Sequence, residues 1–311
     1  ELKLQKGERL AIMLPNMLQY PIAVFGALLA GLILVNLNPL DKSASLQREL
    51  ADSGAKALVV LDHFVTELTP IVNTTELEHV IIARAGDLQS WPKGLAINLY
   101  LRYVKKAIPR AHFPGQISFM SALVHGSQHS FTPVAVSPYD LAFIQYTGGT
   151  TGVPKGAMLT HKNMMCNVMQ CCSWIREDLI EGKETIITAL PLYHIFSLTA
   201  NLMVFTEIGA LNILITNPRD IPGFVKELAR HHTGGQLSVA PEHVDDEVLD
   251  KMKKPGIESY ERFAERFRCA SESAGKDQYL VPYFISGHPG STLEDMVDLA
   301  VWLKKSGMRP R

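Results

Sequence analysis

Short runs of apolar residues recur along the first 215 residues of the chain, and segments of helical length separate most of them. The runs are rich in β-branched residues, which is typical of strands buried on both faces of a parallel sheet. The predicted strands cover residues 9–14, 32–37, 57–61, 79–83, 141–146, 185–190 and 211–215, and the predicted helices include 46–52, 163–179 and 195–207. This alternation predicts an α/β fold in which helices cover parallel sheets.

The longest apolar run, PIAVFGALLAGLILVNL, starts at Pro21 and approaches the length of a membrane span. Gly26 and Gly31 interrupt it, and the strand-like segment RLAIMLPN precedes it in place of the charged start of a signal peptide. We therefore interpret the run as a buried helix that leads into a buried strand. Residues 85–139 differ, because SWPKG, IPRAHFPGQ and FTPVAVSP predict loops and an irregular excursion.

The density of charged residues rises near residue 230. Residues 231–311 contain 11 Lys or Arg and 13 Asp or Glu, whereas the 230 residues before them contain 37 charged residues in all. A change from about 16% to about 30% indicates a domain boundary or a junction of two unrelated sequences. Beyond it we predict strands at QLSVA and YLVPYFIS and helices at DEVLDKM, IESYERFAERFRCASESAG and TLEDMVDLAVWLKKSG. The chain is therefore predicted to have two parts, residues 1–230 and 231–311, without a Gly- or Ser-rich linker between them.

The composition is that of a soluble globular protein, with 47% hydrophobic and 20% charged residues in a chain of 311. A net charge of -1 argues against a basic surface for nucleic acid. The cysteines form neither a C-x-x-C pair nor a zinc spacing, which favours a reducing, cytoplasmic setting; they are Cys166, Cys171, Cys172 and Cys269. The sequence opens with ELKLQKGERL, without an initiator Met, and we expect it to be a fragment.

The stretch TGGTTGVPKG, residues 147–156, follows the predicted strand LAFIQY and precedes a predicted helix from about His161. Glycines let a backbone turn tightly and approach a ligand closely. Backbone N–H groups and threonine hydroxyls then face anionic oxygens, and a lysine adds positive charge. The P-loop of nucleoside triphosphatases has a different order, G-x-x-x-x-G-K followed by Ser or Thr. The stretch therefore predicts a phosphate-binding loop of another kind.

This loop resembles the phosphate-binding signature of the adenylate-forming enzymes, which include acyl-CoA synthetases, luciferases and nonribosomal adenylation domains. LPLYHIFSLTAN, residues 190–201, resembles the next motif of that family. The segments RLAIMLPNMLQYPIAVFGALLAGLILVNLNPL, DSGAKALVVLD and ILITNPRDIPGFVKEL are similar to bacterial long-chain fatty-acid–CoA ligases. The resemblance covers about residues 1–230 and implies a partial N-terminal domain of that family.

The resemblance implies ATP-dependent activation of a fatty acid. The fatty-acid carboxylate attacks the α-phosphate of ATP, pyrophosphate leaves, and the thiol of CoA then displaces AMP from the acyl-adenylate. The residues implied to line the ATP phosphates are Thr147, Gly148, Gly149, Thr150, Thr151, Gly152 and Lys155. Thr147 is implied to lie near a Mg²⁺ ion that neutralises developing charge.

Tyr193 and His194 are implied at the wall of the adenylate and acyl pocket. The alternative for His194 is a satisfied core histidine at a strand end. The implied partners are a fatty acid, ATP and CoA. The implied location is the cytoplasm, with room for peripheral association at the inner face of the membrane.

Other parts of the family pattern are absent. The sequence contains no aromatic-Gly-x-Thr-Glu strand, whose Glu would bind Mg²⁺, and no Thr-Gly-Asp, whose Asp would hold the ribose. Lys276 and Lys304 stand outside the context of the family's C-terminal lysine, so no complete catalytic set is assigned. After NPL the family usually has an aromatic-Thr-Pro run, whereas this chain has LDKSASLQREL at residues 40–50, which we expect to be a surface detail.

The tail resembles a different family, the radical SAM proteins of the YgiQ type. The segments that carry this resemblance are GGQLSVAPEHVDDEVLDKMKKPG, YERFAERF and AGKDQYLVPYFISGHPGSTLEDMVDLAVWLKKSGMRPR. Those proteins are (β/α) barrels with a [4Fe–4S] cluster, which implies a βαβα barrel fragment over residues 231–311. The chain has no C-x-x-x-C-x-x-C triad, so an iron–sulfur cluster is not supported. The histidine spacings fit no standard metal site; the residues are His231, His232, His243 and His288.

The two resemblances meet near FVKELARHHTGG, a short stretch that suits both families. We hypothesise a chimera of two truncated proteins. A natural two-domain fusion is disfavoured, because both pieces break off inside a domain and leave sheet edges unpaired. Three functions stay open at this point: an inactive part of a fatty-acid–CoA ligase, a radical SAM fragment, and a catalytically dead nucleotide-binding or structural module.

Overall fold

The structure of the protein is a computed structural model that describes residues 2–109, 113, 116–147, 154–216, 221–252, 254–286 and 291–306. The chain divides into two compact units, Glu1–Asn217 and Pro218–Arg311. The first unit contains two sheets and the second contains one.

Seven strands form the large sheet of the first unit. They are β1 (Arg9–Met13), β2 (Ile33–Asn36), β3 (Ala57–Leu61), β4 (His79–Ala83), β5 (Ile117–Ser118), β6 (Leu141–Thr147) and β7 (Lys155–Thr160). Their order is β5-β4-β3-β1-β2-β6-β7, and all neighbours are parallel except β6 and β7. Ile12 of the central strand β1 pairs with Asn36 on one side and with Val59 on the other. The continuous apolar runs follow from this arrangement, because inner parallel strands are covered on both faces.

Helices cover both faces of the large sheet. They are α1 (Gln19–Leu29), α2 (Ser43–Ser53), α3 (Val65–Leu68) and α5 (Phe119–Ser127), whereas α4 (Lys93–Leu99) stands between β4 and β5 in the chain. Ile12 belongs to one hydrophobic cluster and Met13 to another, since successive side chains of a strand point to opposite faces. α1 adds Tyr20 to the first cluster, and α2 adds Leu50 to the second.

A smaller sheet completes the first unit. It consists of the parallel strands β8 (Thr185–Thr188) and β9 (Leu211–Leu214), with α7 (Ile195–Ser197), a π-helical segment (Leu198–Met203) and α8 (Val204–Glu207) between them. α6 (His161–Ile175) follows β7 directly. The Thr160 hydroxyl accepts from the Asn163 N–H, and the Asn163 side chain accepts from the Thr160 N–H, so a reciprocal cap starts α6.

The second unit is built around two parallel strands. Its elements are α9 (Ile221–Glu227), a π-helical segment (Leu228–His232), β10 (Gln236–Glu242), α10 (Asp246–Lys251), α11 (Ile257–Ser273), β11 (Tyr279–Phe284) and α12 (Leu293–Lys305). Val225, Ala229 and Phe267 form its buried cluster, with Leu237 and Leu280 packed against it. Residues before the predicted junction near residue 230 therefore share one core with residues after it.

The structure confirms the predicted mixed α/β fold. Strands 57–61 and 79–83 match β3 and β4 residue for residue, and the apolar run from Pro21 is part of α1 followed by β2. Within the described residues, no helix combines the length and apolar character needed to cross a membrane. All five elements predicted after residue 230 are present as β10, α10, α11, β11 and α12. Their origin in a barrel, and the boundary between residues 230 and 231, stay predictions.

Two details differ from the sequence predictions. The stretch 85–139 contains α4, a π-helical segment (Tyr100–Val104), β5 and α5, so it is more regular than its Pro and Gly content indicates. The strand β7 between the Gly/Thr loop and α6 was not predicted, because its sequence KGAMLT opens with Lys and Gly and lacks an apolar run.

Candidate functional site

A cavity of about 340 Å³ lies at the carboxyl ends of β2 and β6. Open α/β sheets bind ligands in the crevice beyond the carboxyl ends of their strands. The residues that line the cavity are Asn36, Asn38, Asp41, Ser45, Glu49, Gln145, Tyr146, Thr147, Pro154, Tyr193 and His194. They come from β2, from α2 and the turn that leads into it, from β6, from the residue before β7, and from the segment before α7.

Three residues singled out in the sequence, Thr147, Tyr193 and His194, line this cavity. Thr147 ends β6 and pairs in register with Lys155, the first residue of β7. Lys155 is exposed, and its neighbour Pro154 contributes to the lining. The remaining predicted loop residues lie outside the described residues; they are Gly148, Gly149, Thr150, Thr151 and Gly152. The fold thus brings the ends of two motifs together.

Buried hydrogen bonds connect α1, β2 and β6 to the backbone at Tyr193. The Tyr20 hydroxyl lies 2.7 Å from Asn36 Oδ1 and 2.9 Å from the Leu192 carbonyl oxygen, and its one proton is donated to either of them. The Asn36 amide donates to Gln145 Oε1 at 3.1 Å, and the Gln145 amide donates to the Tyr193 carbonyl at 3.2 Å. Burial raises the pKa of Tyr20 well above its usual range, so the hydroxyl stays protonated. A satisfied polar network of this kind holds its members in one arrangement.

Asn16, in the loop between β1 and α1, fixes the chain just before Tyr193. Its side-chain amide donates to the carbonyl oxygens of Thr188 and Leu190, both at 2.9 Å. Its Oδ1 accepts from the Leu192 N–H at 2.7 Å. Asn16 is only 3% exposed, so its removal would leave three backbone groups without these partners. This loop therefore positions the second motif against the cavity.

His194 is exposed, and its Nδ1 accepts from the Phe196 N–H at 3.3 Å at the start of α7. Because Nδ1 accepts, Nε2 carries the proton of the neutral ring. The alternative of a satisfied core histidine is wrong, since the ring is exposed beside the cavity. Tyr193 is partly buried, and burial, followed by the charge of Asp41, raises the pKa of its hydroxyl.

Asp41, Ser45 and Glu49 form what we call the acidic wall of the cavity. Their spacing of four residues places them on one side of α2 and of the turn that leads into it. Glu49 is 6% exposed, and burial, followed by the charge of Asp41, raises its pKa to about 7. Burial also raises the pKa of Asp41. The prediction that residues 40–50 are a surface detail is therefore wrong, because this segment supplies part of the cavity lining.

Sequence reasoning missed several residues of this site. Asn36 and Gln145 interrupt apolar strands, and a polar residue in a buried strand needs a buried partner, which was an available signal. The four-residue spacing of the acidic wall was a second signal. Asn16 gave no signal, because an Asn after a Pro reads as an ordinary turn residue.

The donor atoms of the described residues limit which metal groups the site can hold. Among these residues, no group of three or more His, Cys, Asp or Glu side chains could hold a metal ion. Mg²⁺ at nucleotide sites needs few protein ligands, because phosphate oxygens and water complete its shell, and the Thr147 hydroxyl is an oxygen donor of the preferred kind. An iron–sulfur cluster does not fit, because on α6 Cys166 is exposed whereas Cys172 is buried, so the thiols point to different sides of the helix.

Comparison with known proteins finds similarity to two different kinds of protein. A long-chain-fatty-acid–CoA ligase of Salmonella typhimurium is 52% identical over 230 residues, which cover 74% of this chain and 41% of the ligase. The chain therefore spans less than half the length of that relative. A UPF0313 protein of Pseudomonas aeruginosa is 58% identical over 88 residues, which cover 28% of this chain and 12% of that protein.

The two matched shares, 74% and 28%, together slightly exceed the whole chain, so the matches overlap by at least a few residues. The chain therefore combines a ligase-like N-terminal part with a UPF0313-like C-terminal part, as the sequence indicates.

A solved structure and a family profile extend the comparison. An anthranilate CoA ligase in complex with anthranoyl-AMP matches with a TM-score of 0.60 at 19% identity, over 77% of this chain and 41% of that chain. At this identity the likeness establishes the fold alone. The profile of the AMP-binding enzyme matches residues 1–279, which is most of the chain. This protein therefore belongs to the AMP-binding enzyme family.

Proposed function

We propose that the first unit is the phosphate-binding part of a fatty-acid-activating site, descended from a long-chain fatty-acid–CoA ligase. One observation carries the proposal: Thr147, Tyr193 and His194, which come from two separate motifs, line one cavity at the carboxyl edge of a parallel sheet. The identity to a long-chain-fatty-acid–CoA ligase supports ATP, a fatty acid and CoA as the ligands of the ancestral site.

In this proposal each part of the site has a separate role. Backbone N–H groups and hydroxyls of residues 147–152 surround the ATP phosphates, and Lys155 adds a positive charge. When bound, Mg²⁺ neutralises part of the phosphate charge, with the Thr147 hydroxyl among its oxygen ligands. Tyr193 and His194 form the wall against the adenylate and the acyl group. The site works in the cytoplasm, with peripheral contact at the inner face of the membrane as its access to long-chain substrates.

We propose further that the chain binds nucleotide without completing ligation. Attack by a carboxylate on the α-phosphate is opposed by like charges, so the reaction depends on several groups that stabilise the transition state. This sequence lacks the family's Glu strand and its Thr-Gly-Asp. Loss of one such electrostatic group commonly costs about 10²–10³ in rate, and loss of several leaves almost no turnover.

Calorimetric titration of the full chain with Mg-ATP tests the binding proposal. We expect saturable binding that weakens by about 10- to 100-fold in Lys155→Ala, because a hydrogen bond to a charged group contributes about 1.5–3 kcal/mol. Lys183→Ala removes the same side chain at an exposed position and should leave the affinity unchanged. Equal binding by wild type and Lys155→Ala would refute the role of the loop lysine.

A second assay separates binding from turnover. The full chain is incubated with palmitate, ATP, Mg²⁺ and CoA, and palmitoyl-CoA is measured. We expect no product above the level without protein. Product formation that disappears in Lys155→Ala would show a complete site and overturn the proposal of binding without turnover.

A further inference from the structure

The acidic wall and Thr147, the first of the proposed phosphate-binding residues, line the same cavity of about 340 Å³. The wall is joined to β6 beside Thr147, because the Tyr146 hydroxyl lies 2.6 Å from Asp52 Oδ2 and 3.1 Å from the Glu49 carbonyl oxygen. α2 and the end of β6 thus form neighbouring sides of one space. A negative charge on the wall therefore acts on any anion at the end of β6 through a short, partly desolvated path.

The surroundings of Glu49 favour its neutral form. Burial and the like charge of Asp41 raise its pKa to about 7, and these effects outweigh the hydrogen bond from Ser45 and the charge of Arg48. The titratable or charged groups around it, on α2 and across the cavity, are Asp41, Arg48, Asp52, Tyr146, Tyr193 and His194. The pKa values of Tyr146 and Tyr193 are raised, so both hydroxyls are neutral where Glu49 titrates. The charge of Glu49 on the acidic wall therefore changes near neutral pH.

We propose that Glu49 sets the charge selectivity of this cavity: the cavity binds a phosphate-bearing ligand about tenfold more tightly while Glu49 is protonated than once Glu49 is ionised. The inference rests on the proposed function, because it assumes that nucleotide phosphates enter this cavity. Glu49 acts here as a specificity-determining residue, which requires no contact with the reacting atoms.

The effect is large enough to measure. A unit negative charge across a cavity of this size repels a bound polyanion enough to change its affinity by about tenfold. A neutral nucleoside carries no charge for the wall to repel. Selectivity between ATP and adenosine therefore depends on the protonation of Glu49.

The test compares wild type with Glu49→Gln, whose side chain has the same shape and cannot ionise. The full chain is titrated calorimetrically with ATP and, separately, with adenosine between about pH 6 and about pH 8.5. The terminal phosphate of ATP also titrates in this range, so the quantity compared is the ratio of the two proteins' Kd values at each pH. We expect this ratio, wild type over variant, to rise from about 1 at the acidic end to about 10 at the basic end for ATP, and to stay near 1 for adenosine.

Two further variants sharpen the test. Asp41→Asn leaves the burial of Glu49 in place and removes the second cause of its raised pKa, the charge of Asp41. With Asp41→Asn introduced into both proteins, the rise in their Kd ratio should move to lower pH. Glu177→Gln makes the same chemical change at an exposed position, and its Kd values for ATP and adenosine should equal those of wild type at every pH.

The outcomes separate the inference from the proposal beneath it. ATP binding with the same pH profile in wild type and Glu49→Gln would overturn the charge selectivity and leave the phosphate site standing. An equal change for ATP and adenosine would also overturn it, because that pattern reflects packing. Absence of ATP binding in both proteins at every pH would overturn the phosphate site, and the inference with it.

Discussion

The two units of the molecule differ most in the depth of their hydrophobic cores. The first unit buries clusters on both faces of a seven-stranded sheet, with fully buried side chains such as Phe143 and Leu34. Among the described residues of the second unit, the cluster beneath the sheet has three buried members, Val225, Ala229 and Phe267. Its sheet has two strands, and a two-stranded sheet depends on helices packed against it for stability.

This difference indicates where the stability of the protein resides. Apolar area removed from water is the main favourable contribution to folding, so a deep core tolerates the loss of one side chain better than a thin core does. We therefore expect the second unit to unfold first.

The largest expected effect comes from Phe267→Ala. Truncation of a buried Phe costs about 3–5 kcal/mol, which exceeds what the small cluster of the second unit can lose. We expect amide hydrogens of residues 221–286 to lose their protection, measured by hydrogen exchange and mass spectrometry. Phe143→Ala makes the same change in the first unit and should lower its unfolding midpoint without unfolding it at room temperature. Slow exchange throughout residues 221–286 in Phe267→Ala would show that the two cores are of similar strength.

A smaller effect, confined to the first unit, is expected from Asn16→Ala. Three hydrogen bonds to the segment before Tyr193 are lost, at roughly 1 kcal/mol each. The urea midpoint of the first unit should therefore fall. ATP affinity should also weaken, because the segment with Tyr193 and His194 is no longer held in place. The urea midpoint of the second unit should be unchanged. Asn73→Ala, at an exposed position, serves as the control and should stay within about 0.5 kcal/mol of wild type. Unchanged ATP affinity in Asn16→Ala would mean that the loop does not position the site.

The smallest of the three effects is the pH dependence that Glu49 gives to the first unit. Its pKa is raised from 4.5 to about 7 in the folded state, so folding retains a proton that the unfolded chain releases. Stability from this group is complete below about pH 4.5 and is lost as the pH rises to about 7, by roughly 2–3 kcal/mol. Urea unfolding of wild type and Glu49→Gln across this range measures the loss. Asp62, with its pKa raised to about 6, titrates in both proteins, so the difference between the two proteins removes its contribution. If the free energy of unfolding changed with pH in the same way in both proteins, Glu49 would have an ordinary pKa.

The elements that the sequence predicted best are those with one dominant physical cause. β3 and β4 were predicted to the residue, because inner parallel strands are apolar without interruption. β7 was missed because it runs antiparallel at the edge of the sheet, where Lys155 and Gly156 are tolerated. Hydrophobic pattern carries little information about edge strands, since water contacts one side of them.

The residues of the candidate site also fall into those that the sequence could predict and those that it could not. Thr147, Tyr193 and His194 stand in motifs whose chemistry is local, so the sequence was enough to select them. Asn16 and the acidic wall act through contacts between segments far apart in the chain, which single-sequence patterns do not contain. The departure at residues 40–50 was misread for this reason: its polar residues resemble a solvated helix face until the end of β6 is seen beside them.

The buried cluster of the second unit has a practical consequence for expression of that unit alone. Val225 and Ala229 lie before the change of sequence character near residue 230, and Phe267 lies after it. An expression clone that begins at residue 231 would leave Phe267 facing water and would aggregate. A clone that begins at Pro218, the first residue of the compact unit, keeps those partners together. The change of sequence character near residue 230 and the start of the compact unit at Pro218 therefore differ, and the start of the unit is the better place to begin a clone.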